Sequence, residues 1–282
     1  MEGGIDPLEE YLFDLRGYTI LPQAVDPEHL SAMNAWIDAL PPIEQGQWHG
    51  NMVGHNYGGA DGFNLQNIIE GGELFERLID HPEWIGRARR YIGSGDRPFV
   101  YEVFLNLRGP GGFIGIHSGG HNLDFHRRTG RSRGQWVCTM LSLILALTDI
   151  GPGDGATTLI PGSHKSDFPH PEQKPSGAPA PVAGDDVEGA TPLYLRAGDA
   201  LLFNDGLAHG STQRSNPGER RTIIFRYVPA HIGHRFGYEP SPEFLARLTP
   251  ERLKLVQPIK PMRRPADHSV SWLPSGASGG QQ

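Results

Sequence analysis

Residues 111–124 read Gly111-Gly112-Phe113-Ile114-Gly115-Ile116-His117-Ser118-Gly119-Gly120-His121-Asn122-Leu123-Asp124. Glycine at that density argues against a helix, because fixing glycine backbone in a helix costs more entropy than fixing any other residue. A short apolar run ends at His117 and two glycines follow one residue later. The stretch therefore predicts a β-strand that opens into a loop and presents an imidazole at its end. Far downstream, Asn204-Asp205-Gly206-Leu207-Ala208-His209-Gly210-Ser211 sets a second histidine among glycines, and Arg220 follows eleven residues after it. Two distant histidines and a trailing arginine suggest a non-haem iron site with an anchored oxo-acid.

The surrounding composition is compatible with that idea. The chain has 282 residues, enough to bury a full core. Lys+Arg 25 against Asp+Glu 32 gives a net charge of −7, so no global attraction to nucleic acid polymers or anionic membranes is expected. Gly 38 and Pro 25 favour a loop-rich β protein over a helical bundle. No apolar run approaches the roughly 20 residues of a membrane span. The start, Met-Glu-Gly-Gly-Ile-Asp, has neither the basic region nor the apolar core of a signal peptide, so a cytoplasmic location is expected. Cys138 is the single cysteine and sits in an apolar strand pattern, which predicts a buried, inert thiol.

Taken in order, Leu8 to Leu15 reads as a short helix ended by Gly17, followed by a strand at Tyr18 to Leu21. Asp26-Pro27-Glu28 is a helix start, with Asp26 as cap and Pro27 at the first helical position. Gly46 to Gln66 is polar and glycine-rich. It is expected to be a long irregular segment, either a plain surface loop or a lid carrying Trp48, Asn51, Asn56, Tyr57 and Phe63. Gly72 to Tyr91 is helical with a break at His81-Pro82. Phe99 to Leu107, Gln135 to Ile150, Ala156 to Ile160, Thr191 to Phe203 and Arg220 to Val228 read as strands. Pro242 to Val256 is a terminal helix. Residues 173–190, rich in Pro, Ala and Gly, are expected to be a flexible insertion in one domain spanning 1–270, and 271–282 a disordered tail. Short strands after a helical start predict a mainly β sandwich or jelly roll with helices packed outside.

Four passages resemble the phytanoyl-CoA dioxygenase family of iron(II) and 2-oxoglutarate enzymes. They are Asp14-Leu15-Arg16-Gly17-Tyr18, the His117 stretch, Gly155 to His164 with its Pro-Gly-Ser-His, and Ala197-Gly198-Asp199-Ala200-Leu201-Leu202-Phe203 through His209 to Arg220. The resemblance implies a double-stranded β-helix, a cupin-like jelly roll, flanked by N- and C-terminal helices. It implies an oxidative enzyme using Fe(II), 2-oxoglutarate and O2. His117 and His209 would hold the metal and Arg220 the far carboxylate of 2-oxoglutarate. Iron of this class takes two imidazoles and a carboxylate on one face, and a guanidinium fork suits a carboxylate. Arg221 points to the other sheet face by the period-2 rule. Asn106, Thr139 and Ser142 are candidates to reach the cosubstrate. His164 and Asp199 are read as turn residues, and Trp136 and Phe225 as core.

One position departs from the family. The usual motif is His-x-Asp or His-x-Glu, and here it is His117-Ser118-Gly119. In one reading Gly119 leaves a slot in which chloride binds iron, as in the related halogenases, and an unactivated aliphatic C–H bond is chlorinated. In a second, His121 or Asp124 supplies an irregular third ligand and the enzyme is a hydroxylase. A regular strand would put His121 about 13 Å beyond His117, so the chain must fold back at Gly119-Gly120. A third reading is a binding module that keeps the fold without turnover. A zinc peptidase is disfavoured, because the His117 to His121 spacing needs a helix and a glutamate base. Finally, His126 to Arg133 carries Arg127, Arg128, Arg131 and Arg133 beside the metal loop. The bland reading is a solvated loop. The functional one is a clamp, with His121 and Asp124 beside it, for an anionic small molecule such as a nucleotide.

Overall fold

The computed structural model of the chain describes residues 5–56, 61–92, 97–118, 130–132, 135–173, 183–233, 235 and 237–257. Gly119, His121, Asp124, Arg127 and Arg128 lie outside these residues, as do Tyr57, residues 174–182 and the 271–282 tail; Arg131 and Trp136 are described by their backbone alone.

The chain opens with α1 (Pro7–Arg16), whose start is capped by Asp6 accepting the Leu8 N–H and whose end is closed by Gly17 in the left-handed conformation. β1 (Tyr18–Leu21) follows, then α2 (Pro27–Asp38), capped as expected by Asp26, with Pro27 opening the helix. β2 (Trp48–His49), β3 (Met52–His55) and β4 (Phe63–Gln66) come next, then α3 (Glu73–Glu76) and α4 (Pro82–Tyr91). The β-rich middle comprises β5 (Pro98–Arg108), β6 (Gly130–Ser132), β7 (Gln135–Val137), β8 (Leu141–Ala146) and β9 (Thr157–Leu159). It continues through β10 (Thr191–Leu193), β11 (Ala200–Asn204), β12 (His209–Ser211) and β13 (Arg220–Pro229). α5 (Pro242–Arg247) and α6 (Pro250–Val256) close the described chain. Among the described residues no helix is long and apolar enough to cross a membrane.

The strands form a large sheet ordered β1-β11-β8-β13-β5-β4-β3-β2, a small sheet β10-β9-β12, and a β6-β7 hairpin. Every named pair is antiparallel. Side chains alternate faces along a strand, so each strand of the large sheet serves two environments. Val103, Leu105, Leu143, Leu145, Leu202, Ile223 and Phe225 lie under the helices, in one apolar cluster with Met33, Phe75, Trp84 and Leu255. Phe104, Ile144, Leu201, Phe203 and Ile224 face the other way and meet Leu159 and Leu193 of the small sheet, with Leu195 just beyond it. Two antiparallel sheets with helices outside are the jelly roll expected above.

Several local expectations are corrected. Gly46 to Gln66 is not one irregular lid: β2, β3 and β4 extend the large sheet, with β4 hydrogen-bonded to β5. Trp48 is exposed on the outermost strand. The expected strand from Thr191 to Phe203 is two, parted by a turn at Ala197-Gly198-Asp199. Gly198 holds φ +93°, and Asp199 accepts the Arg196 and Gln23 N–H groups. The terminal helix is also two, because Thr249 caps a fresh start at Pro250 and a proline cannot continue the preceding ladder. Of the expected insertion, residues 183–190 pack onto the body. Val187 is buried with Ile116 and Ala208, and Asp185 accepts the Gln213 N–H. His164 and Asp199 are turn residues as expected: His164 is buried and its ring reaches the Asp14 carbonyl. Cys138 is buried and burial pushes its thiol pKa upward.

Candidate metal centre

His209 opens β12, and His117 pairs with it across one antiparallel register position. The two main chains exchange both hydrogen bonds, His117 N to His209 O at 2.8 Å and His209 N to His117 O at 2.7 Å. Rather than ending a strand, His117 lies in an extended segment that touches β12 at this pair. Gly210 makes the approach possible. A Cβ there would sit 2.8 Å from the Ile114 carbonyl oxygen and would push the segment off β12.

This pairing brings the imidazole centroids to 4.1 Å, close enough for one ion about 2 Å from each donor nitrogen. Both rings are oriented from behind. His117 Nδ1 lies 2.9 Å from the Gly115 carbonyl, and His209 Nδ1 lies 2.8 Å from the Leu207 carbonyl. A carbonyl only accepts, so each Nδ1 carries the proton and each Nε2 keeps a lone pair. A metal-binding histidine needs this arrangement. Burial, and then the neighbouring His209, push the His117 pKa from 6.5 down to about 3, which keeps the ring neutral. The donor set thus fits iron(II).

That depressed pKa has a measurable consequence. Below 6.5 the unfolded histidine takes up a proton that the folded one refuses, so the unfolded state binds more protons and stability falls as pH falls. The metal-free protein should therefore lose stability progressively as pH falls below 6.5. Urea unfolding at pH 7 and pH 5 checks this, and His117→Gln should flatten the difference.

Both histidines line a cavity of about 240 Å³ between the sheets. Its walls take Phe104, Asn106 and Arg108 from β5, Ser142 and Ile144 from β8, Phe203 from β11, and Arg220, Ile224 and Arg226 from β13; the small sheet adds Thr157, His209 and Ser211. These are the inward-facing positions of their strands. The cavity therefore gathers His117, His209, Arg220, Asn106 and Ser142 of the expected site. Thr139 is not among the lining residues; it precedes β8, whereas Ser142 occupies an inward position within it.

Arg220 is 2% exposed. Its Nη1 donates to Asn106 Oδ1 at 3.1 Å and its Nη2 to Thr157 Oγ1 at 3.4 Å, both neutral partners, and its Nε has none. Burial, followed by Arg108 and Arg214, pulls its pKa well below the ordinary guanidinium range. Among the described residues no carboxylate neutralises it. A buried cation with an orphaned N–H on a cavity wall fits an anionic ligand such as the distal carboxylate of 2-oxoglutarate. Arg221 behaves oppositely, as its register predicts, and pairs with Asp38 and Glu219 on the outer face.

Other lining residues escaped the sequence reading: Asp61, Asn64, Arg108, Thr157, Ser211, Arg226 and Arg235. Two of them carried a signal. Arg108 lies two residues beyond Asn106, and Ser211 two beyond His209, so each shares a strand face with a residue already singled out. At the opposite end of the cavity from Arg220, about 20 Å along β13, buried Glu102 accepts hydrogen bonds from Arg226, Arg235 and Gln66. Asp205 is buried and accepts a 2.8 Å hydrogen bond from Ser142 Oγ. Among the described residues no three His, Cys, Asp or Glu side chains converge enough to hold a metal, so Asp205 does not complete the histidine pair.

Comparison with known proteins finds similarity in both sequence and fold. The family model for phytanoyl-CoA dioxygenase matches residues 13–222. The dioxygenase cdmD of Talaromyces verruculosus is 32% identical over 140 residues, covering 47% of this chain and 42% of that protein. Ectoine dioxygenase of Nocardia farcinica is 25% identical over 236 residues, covering 75% of this chain and 74% of that protein. The chain spans less than half the length of cdmD and of the dioxygenase trt7 of Aspergillus terreus. Among solved structures, HygX of Streptomyces hygroscopicus with nickel and 2-oxoglutarate bound superposes with a TM-score of 0.67 at 20% identity, covering 80% of this chain and 88% of that one. The apo form of EctD from S. alaskensis gives 0.62 at 20% identity, with 90% and 89% covered. At these identities the superpositions establish the jelly-roll fold.

Proposed function

The chain belongs to the phytanoyl-CoA dioxygenase family, and from that premise we propose that it is an iron(II)- and 2-oxoglutarate-dependent oxidase of small molecules. One observation carries the reading: two imidazoles with ring centroids 4.1 Å apart, each with Nδ1 turned to a backbone carbonyl, in the same cavity as a buried arginine hydrogen-bonded to neutral partners. His117 and His209 would hold the metal. Arg220, oriented by Asn106, would hold the distal carboxylate and so aim the oxo-acid end at the metal. Iron with 2-oxoglutarate and O2 supplies an oxidant strong enough to take hydrogen from an unactivated C–H bond. Phe104, Ile144, Phe203 and Ile224 give the cavity apolar walls that exclude bulk water from that chemistry.

The finer proposal is halogenation. It is supported by Gly119 at the position where the family motif carries a carboxylate. A glycine leaves one more coordination position open, and chloride is its expected occupant. The substrate is a small molecule with an anionic group. That reading rests on Arg127, Arg128 and Arg131, which follow the metal loop in sequence.

Gly119→Asp tests the slot. In the anaerobic protein with iron(II) and 2-oxoglutarate, titrating chloride at constant ionic strength should shift the visible charge-transfer band saturably. The substitution should abolish that shift while keeping the band. A wild-type band that ignores chloride, with and without substrate, would instead support a hydroxylase with His121 or Asp124 as third ligand. Oxygen-dependent conversion of 2-oxoglutarate to succinate separates either enzyme from a binding module.

A further inference from the structure

We propose that Arg108 is a second guanidinium seat for the same distal carboxylate, so that 2-oxoglutarate is held by an arginine pair rather than by Arg220 alone. The inference deepens the reading above and rests on it. Arg220 and Arg108 are direct partners in the β13-β5 register, so their side chains leave the sheet on one face. Both line the cavity, at 2% and 1% exposure.

The hydrogen bonds that hold Arg108 orient it without neutralising it. Its Nε donates to the Asp61 carbonyl at 3.1 Å and its Nη1 to Ser211 Oγ at 2.8 Å. The two arginines are also linked. Asn106, which accepts from Arg220, donates at 3.0 Å to that same Asp61 carbonyl. Two buried cations side by side repel, and like charges on facing strand positions are destabilising unless an anion lies between them. The adjoining cation, Arg214, is already closed by Asp154 at 3.0 Å. Among the described residues Asp61 is the one carboxylate lining the cavity, so this end keeps one positive charge in excess and suits a monoanion.

Ser211 adds a hydroxyl donor at this end of the cavity. Its Oγ already accepts the Ile114 N–H and the Arg108 Nη1, both at 2.8 Å. Its own O–H is left to donate, and it lines the cavity beside both guanidinium groups. A carboxylate oxygen offers only acceptors, and here an arginine pair and a hydroxyl offer only donors.

The test is calorimetric binding of 2-oxoglutarate to the nickel-loaded full chain without oxygen, in wild type, Arg108→Met, Arg108→Lys and Arg220→Met. The same titrations with 2-oxopentanoate, which lacks the distal carboxylate, serve as control. Arg108→Met should weaken 2-oxoglutarate roughly 10- to 100-fold, as for a lost hydrogen bond to a charged group, and leave 2-oxopentanoate unchanged. Arg108→Lys should recover part of the loss, the charge without the fork. Arg108→Met binding 2-oxoglutarate like wild type while Arg220→Met loses it would overturn the pair and leave the oxidase reading intact. Undiminished binding in Arg220→Met would overturn that reading itself. If Arg108→Met binds neither acid, Arg108→Lys decides: wild-type affinity refutes the proposal and a selective several-fold loss for 2-oxoglutarate supports it.

Discussion

His209→Ala is expected to remove iron binding and with it all oxidative turnover. The ring supplies one of the two nitrogen donors gathered in the cavity, and among the described residues nothing converges with His117 to replace it. Disturbing only the outer partners that orient a metal-bound histidine costs about 10–100-fold in affinity, so deleting the ligand should cost more. The fold should survive, because the β12 contacts that pair His117 with His209 run through the main chain. The edge contact with Phe203, 4.9 Å between centroids, is lost. His164→Ala is the matched control: that histidine is equally buried, but its ring bonds the Asp14 carbonyl of α1 and it is not among the residues lining the cavity. Iron(II) binding measured anaerobically should vanish in the first variant and stay at wild-type strength in the second, whatever either does to thermal stability. Full iron affinity in His209→Ala would move the metal centre elsewhere.

That His209 was found in the sequence at all reflects what a strand period can and cannot reveal. His117, His209 and Arg220 stand in glycine-framed or strand settings whose local pattern is legible, and the family motif fixes their order. The large sheet was legible for the same reason: Val103, Leu105, Ile223 and Phe225 alternate with Phe104, Asn106 and Ile224, and the alternation itself assigns the two faces. The three short strands at 48–66 were not, because glycine and polar residues there carry little β propensity. Of the three, only β4 pairs with β5, forty residues on in the chain for Leu65 against Leu105, and β3 and β2 follow outward from it. The splits at Gly198 and Pro250 were present in the residue types and were overridden by the apolar runs around them. Arg108 was hidden differently. Its neighbour Gly109 reads as the start of a turn, and only the β13 register shows that the last strand residue faces Arg220. The carboxylate slot is a sequence fact, Gly119, and its chemical meaning belongs to the chloride titration.

Arg220→Met should separate two quantities that usually move together, ligand affinity and stability. In the absence of ligand, wild-type Arg220 is a buried cation on neutral partners beside a second cation, with an orphaned Nε. Replacing such a group with an apolar side chain of similar length is often neutral or stabilising. The metal-loaded variant should therefore melt at or above the wild-type temperature before 2-oxoglutarate is added. With 2-oxoglutarate the order reverses. Truncating one partner of a buried, hydrogen-bonded charge pair costs about 2–5 kcal/mol, roughly 30- to 5,000-fold in affinity. Ligand stabilises the folded state in proportion to its saturation, so wild type should gain melting temperature at millimolar 2-oxoglutarate and the variant should gain little. Arg221→Met is the internal comparison, one residue away on the opposite face. It loses ion pairs to Asp38 and Glu219 at the surface, whose effect on stability is small, and it should titrate with 2-oxoglutarate like wild type. Equal ligand-induced shifts in the Arg220 and Arg221 variants would mean that the buried arginine serves packing rather than cosubstrate. A loss confined to Arg220→Met would fix the oxo-acid's direction in the cavity, distal carboxylate on β13 and reactive end at the two histidines.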